Sequence, residues 1–404
     1  MSAVPAQHAR VLSGMRPTGR LHLGHYHGVL KNWVELQHEY QCLFFVADWH
    51  ALTTHYDNPG DIPQSTWDMV IDWLAAGVNP GEATMFIQSR VPEHAELHLL
   101  LSMITPLGWL ERVPTYKDQQ EKLKEKDLST YGFLGYPLLQ SADILVYRAG
   151  LVPVGEDQVV HVELTREVAR RFNHIYGREP DFEEKAEAAI KKMGKKAAKL
   201  FKNYRKAYQE QGDDEALANA RALLESQQNI GVADRDRLFG YIEGGGMVIL
   251  PEPQPLLTKA AKMPGLDGQK MSKSYGNTIA LNALPEDVEK QMRTMPTDPA
   301  RVRRTDPGDP NNCPVWQFHE VYSDAKLQDW VQEGCKSAGI GCIECKQPVI
   351  DAVLAELRPI QERAREYEEQ PDLVENIINE GCEKAREVAR ETMDEVRHAM
   401  SLDY

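Results

Sequence analysis

Two short stretches carry residue types and spacings suited to phosphate chemistry. The first is Pro17-Thr-Gly-Arg-Leu-His-Leu-Gly-His25, in which His22 and His25 stand three residues apart, on one face of a helical turn. Both imidazoles can donate hydrogen bonds to a phosphate there. Gly24 has no Cβ to obstruct a nucleotide ring. The second is Lys270-Met-Ser-Lys-Ser274, after the turn-forming Pro264-Gly-Leu-Asp-Gly268. Lys270 and Lys273 on a mobile polar loop suit phosphate oxygens on which charge develops.

The elements around these stretches must position them. Val11-Leu12 and the turn Ser13-Gly14 precede the histidines, and helically spaced Leu30, Trp33, Val34 and Leu36 follow. The histidines therefore sit where a first strand hands over to a first helix, whose positive end favours phosphate. Leu43-Phe-Phe-Val-Ala47 reads as a buried parallel strand, ending in the polar Asp48-Trp-His-Ala-Leu-Thr53. Trp67 to Ala76 is helical and Thr84-Met-Phe-Ile-Gln88 is a third strand. This alternation predicts an α/β fold with a Rossmann-like, doubly wound parallel sheet. Leu97 to Val113 reads as a helix interrupted at Pro106-Leu-Gly108.

Composition bounds the function. The 404 residues suffice for two or three domains, and the 42% hydrophobic content is ordinary for a globular chain. There is no long apolar span and no apolar leader before Arg10, so a cytoplasmic location without membrane contact is expected. The net charge of −15 argues against broad electrostatic nucleic-acid binding, but leaves room for a local basic patch.

Tyr136 to Tyr147 has helical spacing, yet Asp143 lies within it. A buried carboxylate needs donors, and a helix-cap or loop Asp competes with an acceptor for a ligand N–H. Leu151-Val-Pro-Val-Gly-Glu-Asp-Gln158 reads as a strand ending at Gly155, with Asp157 suited to ribose hydroxyls and Gln158 to an amino group.

Together, His22-Leu-Gly-His25 and Lys270-Met-Ser-Lys-Ser274 resemble the two signatures of class I aminoacyl-tRNA synthetases. Tyr136 to Asp143 with Val152-Pro-Val-Gly-Glu-Asp-Gln158 is similar to the bacterial-type tryptophanyl members. The resemblance implies ATP-dependent activation of tryptophan and its transfer to tRNA-Trp, with Mg²⁺ accompanying ATP. It implies His22, His25, Lys270 and Lys273 as catalytic residues. ATP would meet Arg16, Pro17, Thr18, Gly24, His25, Lys117, Gly155, Glu156, Asp157, Lys270, Met271, Ser272, Lys273 and Ser274. Leu12, Val152 and Val154 would line an indole slot, Asp143 would accept the indole N–H, and Tyr136, Gln140 and Gln158 would meet the polar end. Gln140 and Arg16 depart from the Met and Gln often found in bacterial relatives. A homodimer is implied as well. The rivals are a tyrosyl-tRNA synthetase, a non-catalytic tRNA-binding paralogue and a small-metabolite nucleotidyltransferase.

The expected domains are residues 1–182 and 247–284 for the catalytic part, 183–246 for an inserted helical hairpin, and 285–404 for a helical anticodon-binding part. In the insertion, Glu183 to Lys206 reads as one lysine-rich helix and Glu215 to Gln228 as a second. Its basic face suits tRNA backbone contact, with a solvated or dimer-contacting face as the alternative. Helical patterns over Pro348 to Glu369 and Pro371 to Leu402 end the chain. Cys313, Cys335, Cys342 and Cys345 are spaced C-x21-C-x6-C-x2-C. Clustered thiols in a reducing compartment favour metal ligation, and one short knuckle rather than two favours a [4Fe–4S] cluster over zinc. A subset of tryptophanyl-tRNA synthetases carries such a cluster.

Overall fold

The computed structural model describes residues 10–113, 130–155, 158–177, 181–242, 244–257 and 263–404. Its centre is a parallel sheet of β1 (Arg10–Met15), β2 (Gln41–Val46), β3 (Ala83–Ile87), β4 (Leu151–Val154) and β5 (Gln254–Leu257), in the order β3-β2-β1-β4-β5. β1 runs in register with β2 from Arg10–Gln41 to Met15–Val46. β2 is buried from Cys42 to Val46, as a strand covered on both faces must be. The chain winds outward from β1 in both directions, so a ligand crevice is expected at the carboxyl ends of β1 and β4.

Between Leu23 and Tyr176 the α-helices among the described residues are α1 (Leu23–His25), α2 (Lys31–Leu36), α3 (Asp48–His55), α4 (Ile62–Ala76), α5 (Glu93–Ser102), α6 (Leu107–Glu111), α7 (Tyr131–Val146) and α8 (Val159–Tyr176). A π-helical turn, Tyr26–Leu30, joins α1 to α2. Trp33 of α2 stacks on Phe44 of β2, with centroids 4.1 Å apart, and meets Trp73 of α4 edge-on.

Next come α9 (Phe182–Lys192), α10 (Lys195–Gln211), α11 (Asp214–Glu225) and α12 (Val232–Ile242). The long lysine-rich helix expected from Glu183 is thus two helices, broken at Gly194 with φ +85°. The expected hairpin is a small bundle with its own core, including Ile190, Phe201, Leu224, Leu238 and Ile242. Sequence reading missed α12, whose polar Asp-Arg-Asp-Arg run hides its buried Leu238 and Ile242.

The remaining helices are α13 (Pro285–Thr294), α14 (Pro314–Tyr322), α15 (Ala325–Lys336), α16 (Cys342–Glu368) and α17 (Pro371–Ala399). α16 starts six residues before Pro348, because Glu344 turns back to accept from the Gly341 N–H at 2.6 Å. α17 covers the edge strand β3, where a Cβ on Gly381 would sit 1.8 Å from the Met85 carbonyl oxygen. One continuous core therefore runs from Val11 in β1 to Val396 in α17. No helix among the described residues is long and apolar enough to cross a membrane.

Candidate active site

Backbone pairing brings the two phosphate-type stretches together. Leu23 N–H donates to the Ile279 carbonyl and Leu281 N–H to the Leu21 carbonyl, both at 3.0 Å. The chain leaving the lysine loop is thereby zipped onto the histidine stretch. Met271 is buried against it, with Sδ 3.3 Å from the Gly24 N–H. A Cβ on Gly24 would stand 2.9 Å from the His22 ring and 3.3 Å from Met271 Cβ. Gly24 is thus required for packing within the protein itself, beyond the open approach expected for a nucleotide.

The histidine geometry fixes where their protons point. His22 Nδ1 accepts from the Gly24 N–H at 3.1 Å, and His25 Nδ1 accepts from the His22 N–H at 3.3 Å. A neutral imidazole whose Nδ1 accepts must carry its proton on Nε2. Burial, and then the charge of Lys273, bring His22 down to about 4; burial, His22 and Lys273 bring His25 down to about 3. Both rings are therefore neutral at pH 7, each with one Nε2–H donor.

Lys273 Nζ donates to the Thr18 carbonyl at 2.8 Å, while Lys270 is exposed. The loop carrying them is held by Asn277, which sequence reading missed. Its Oδ1 accepts from the Ser272 N–H at 2.8 Å, and its Nδ2 donates to Asp267 Oδ1 at 2.7 Å and to the Lys270 carbonyl at 3.1 Å. Asp72 holds the other stretch, accepting from the Leu21 N–H at 2.9 Å. Burial pushes Asp72 up to about 6 against the pull of that N–H and Arg20.

Beside these stretches, at the carboxyl ends of β1 and β4, lies a cavity of about 400 Å³. Leu12, Arg16, Tyr136, Gln140, Asp143, Val152, Val154, Gly155 and Gln158 line it, as do Phe45 and His50. Lys117, Glu156 and Asp157 lie outside the described residues, as does the Ser274 side chain. Asp143 is fully buried and accepts from His50 Nε2, Gln88 Nε2 and His94 Nδ1, each at 2.7 Å. Burial alone would raise its pKa, but His50 and His94 outweigh it and hold the carboxyl below the ordinary range. His50 follows a strand end and could have been suspected there. Gln88 and His94 gave no signal, because only packing shows what they touch.

The cysteines lie apart from this cavity. Cys313 precedes α14, Cys335 lies in α15, and Cys342 and Cys345 occupy the first turn of α16; all are free thiols. They are neighbours: burial, followed by Cys313, Cys335 and Cys342, pushes the Cys345 thiol up to about 12. Arg301 Nη1 lies 3.8 Å from Cys335 Sγ. Among the described residues, however, no group of three or more His, Cys, Asp or Glu side chains stands where it could hold a metal ion.

The family described as tRNA synthetases class I (W and Y) matches residues 5–202 and 220–358. The chain is 71% identical over 395 residues to the tryptophan--tRNA ligase of Ralstonia nicotianae, covering 98% of this chain and 99% of that one. It is 46% identical to the tryptophan--tRNA ligase of Thermotoga maritima, covering 97% and 99%. The tryptophanyl-tRNA synthetase of Campylobacter jejuni, solved with ADP and tryptophan, superposes with a TM-score of 0.73 at 27% identity, covering 97% of this chain and 100% of that one.

Proposed function

The chain belongs to the class I tRNA synthetases of the tryptophan and tyrosine group, and on that premise we propose that it activates L-tryptophan with ATP to tryptophanyl-adenylate and transfers the aminoacyl group to tRNA-Trp. The observation that carries this reading is the ionised Asp143 at the wall of an otherwise largely apolar cavity, next to the joined histidine and lysine stretches. A flat apolar slot with one buried acceptor suits an indole, whose single N–H fills that acceptor.

Activation joins a carboxylate oxygen of tryptophan to the α-phosphorus and breaks the bond from that phosphorus to the bridging oxygen, so pyrophosphate leaves with the electron pair. No nucleophile from the protein is needed; the protein positions and stabilises charge. His22 and His25 present Nε2–H donors to the phosphates, and Lys270 and Lys273 meet the charge growing on them. Mg²⁺ arrives with ATP as part of the substrate. Leu12, Val152 and Val154 contact the ring, and Tyr136, Gln140 and Gln158 the polar end.

We assign residues 285–404 to anticodon reading and 183–246 to an insertion. Lys192 and Lys202 of the insertion are engaged by Asp234 and Glu187. Lys191, Lys195, Lys196 and Lys199 are exposed, which supports contact with a polyanionic backbone. Exposed Leu99, Met103, Leu107 and Tyr131, at adjoining ends of α5, α6 and α7, support a homodimer. The cysteine quartet with Arg301 beside it suits an anionic [4Fe–4S] cluster, which would tie α14, α15 and α16 together; zinc is the alternative. Iron and visible absorbance in anaerobically purified protein support the cluster, and one equivalent of zinc replaces it.

The deciding experiment is ATP–pyrophosphate exchange with tryptophan and tyrosine at matched concentrations. Exchange with tryptophan and little with tyrosine is expected. Tyrosine-dependent exchange overturns the pocket assignment, and exchange with neither favours a non-catalytic tRNA-binding protein.

A further inference from the structure

Asp143 is the visible end of a longer buried chain of hydrogen bonds. Its Oδ1 accepts from Gln88 and from His94 Nδ1, and its Oδ2 from His50. Behind it, His94 Nε2 lies 2.7 Å from the Tyr147 hydroxyl. His94 and Tyr147 are wholly buried and do not line the cavity, whereas Asp143 and His50 do. The chain spans the first turn of α5 and the last residues of α7, so it rests on rigid elements.

The donor and acceptor inventory orders this chain. An ionised carboxylate only accepts, so His94 donates from Nδ1. On the far side of the ring, His94 Nε2 and the Tyr147 hydroxyl share one hydrogen bond. Burial, reinforced by Asp143 and Glu93, keeps that phenol protonated. Oδ1 is thus filled from behind by two donors. Oδ2 has one donor, His50, and one lone-pair direction remaining toward the cavity.

We propose that His94 and Tyr147 are positioning residues that set the discrimination of the pocket, by fixing which lone pair of Asp143 is offered to a substrate ring N–H. The proposal rests on the tryptophan reading above. Without the Tyr147 hydroxyl, His94 Nε2 loses its buried partner and the ring is anchored only through Asp143 itself. The ring and the carboxylate it donates to can then turn together from their place. A pocket whose acceptor is fixed and otherwise unpaired rejects an isostere lacking the N–H; a pocket whose acceptor can turn away rejects it less.

The test compares kcat/KM in ATP–pyrophosphate exchange for tryptophan and for its benzothiophene analogue, in which sulphur replaces the ring N–H. Wild type, Tyr147→Phe, His94→Leu and His94→Asn are assayed after circular dichroism establishes that each is folded. The preference for tryptophan should fall about tenfold in Tyr147→Phe and His94→Leu, mainly through KM. His94→Asn, whose amide N–H can take the place of Nδ1–H, should retain most of it. A merely structural role lowers both substrates together and leaves the ratio unchanged, which overturns the proposal. If Tyr147→Phe does not fold, equal ratios in the two His94 variants overturn it alone. Wild-type protein with no tryptophan-dependent exchange instead brings down the tryptophan reading, a separate and visible failure.

Discussion

His27 Nε2 lies 2.8 Å from Glu356 Oε2, joining the π-helical turn just after His25 to the middle of α16. Tyr322 of α14 donates its hydroxyl to the same carboxylate oxygen at 2.7 Å, and Lys31 donates to Oε1 at 2.7 Å. One carboxylate thus ties the turn that follows His25 to two helices of the C-terminal part. His27 and Glu356 are 329 residues apart in sequence, so the fold alone makes this junction.

Acid should loosen that junction. Burial alone would raise Glu356, but His27, Lys31 and Tyr322 bring it down to about 2 from an ordinary 4.5. A depressed carboxyl stabilises the fold fully above the unfolded value and loses that contribution as pH falls from 4.5 through about 2. Glu356→Gln should cost about 1–3 kcal/mol at pH 7, read as a lower urea midpoint. The gap between variant and wild type should shrink toward pH 2.5. A gap that stays constant would remove Glu356 from the acid response.

The signature histidines should not titrate near neutrality. With His22 near 4 and His25 near 3, their ring proton resonances should hold steady from pH 8 to 5 and move only below. Assigned NMR spectra of the ligand-free protein provide the check. A midpoint close to 6.5 for either would show that the burial and the Nδ1 contacts described above are wrong.

Asn277→Ala should free the lysine loop while leaving both lysines in place. It removes one acceptor and two donor contacts at a buried position. The expected result is a fall of about tenfold or more in kcat/KM for ATP in the exchange reaction. The Kd for tryptophan alone, measured by fluorescence, should change little, because Asn277 does not line the cavity. Equal losses in both would point to general unfolding.

The homodimer proposed above is tested by Met103→Lys, which should be monomeric where the unaltered protein is dimeric. Met103 is 66% exposed and shares its patch with Leu99, Leu107 and Tyr131. A charge in the centre of a buried apolar contact is strongly unfavourable. Sedimentation velocity at micromolar protein gives the mass. An unchanged dimer would place the interface elsewhere.

The sequence by itself determined the chemistry-bearing stretches and the parallel sheet that holds them. His22, His25, Lys270 and Lys273 stand out by their spacing together with their resemblance to two family signatures, and β2 and β3 announce themselves as apolar runs. β5, Gln-Pro-Leu-Leu, did not, because a short strand containing proline resembles a loop until β4 pairs with it. Asp143 was recognisable as an acceptor, but its three donors were not: His50, Gln88 and His94 lie 93, 55 and 49 residues away. Asn277, Asp72 and the Glu356 junction were silent for the same reason. A side chain's type gives its capacity to donate or accept; only tertiary packing decides which partner it meets and whether water is excluded. Here that packing turned ordinary polar residues into the supports of the site.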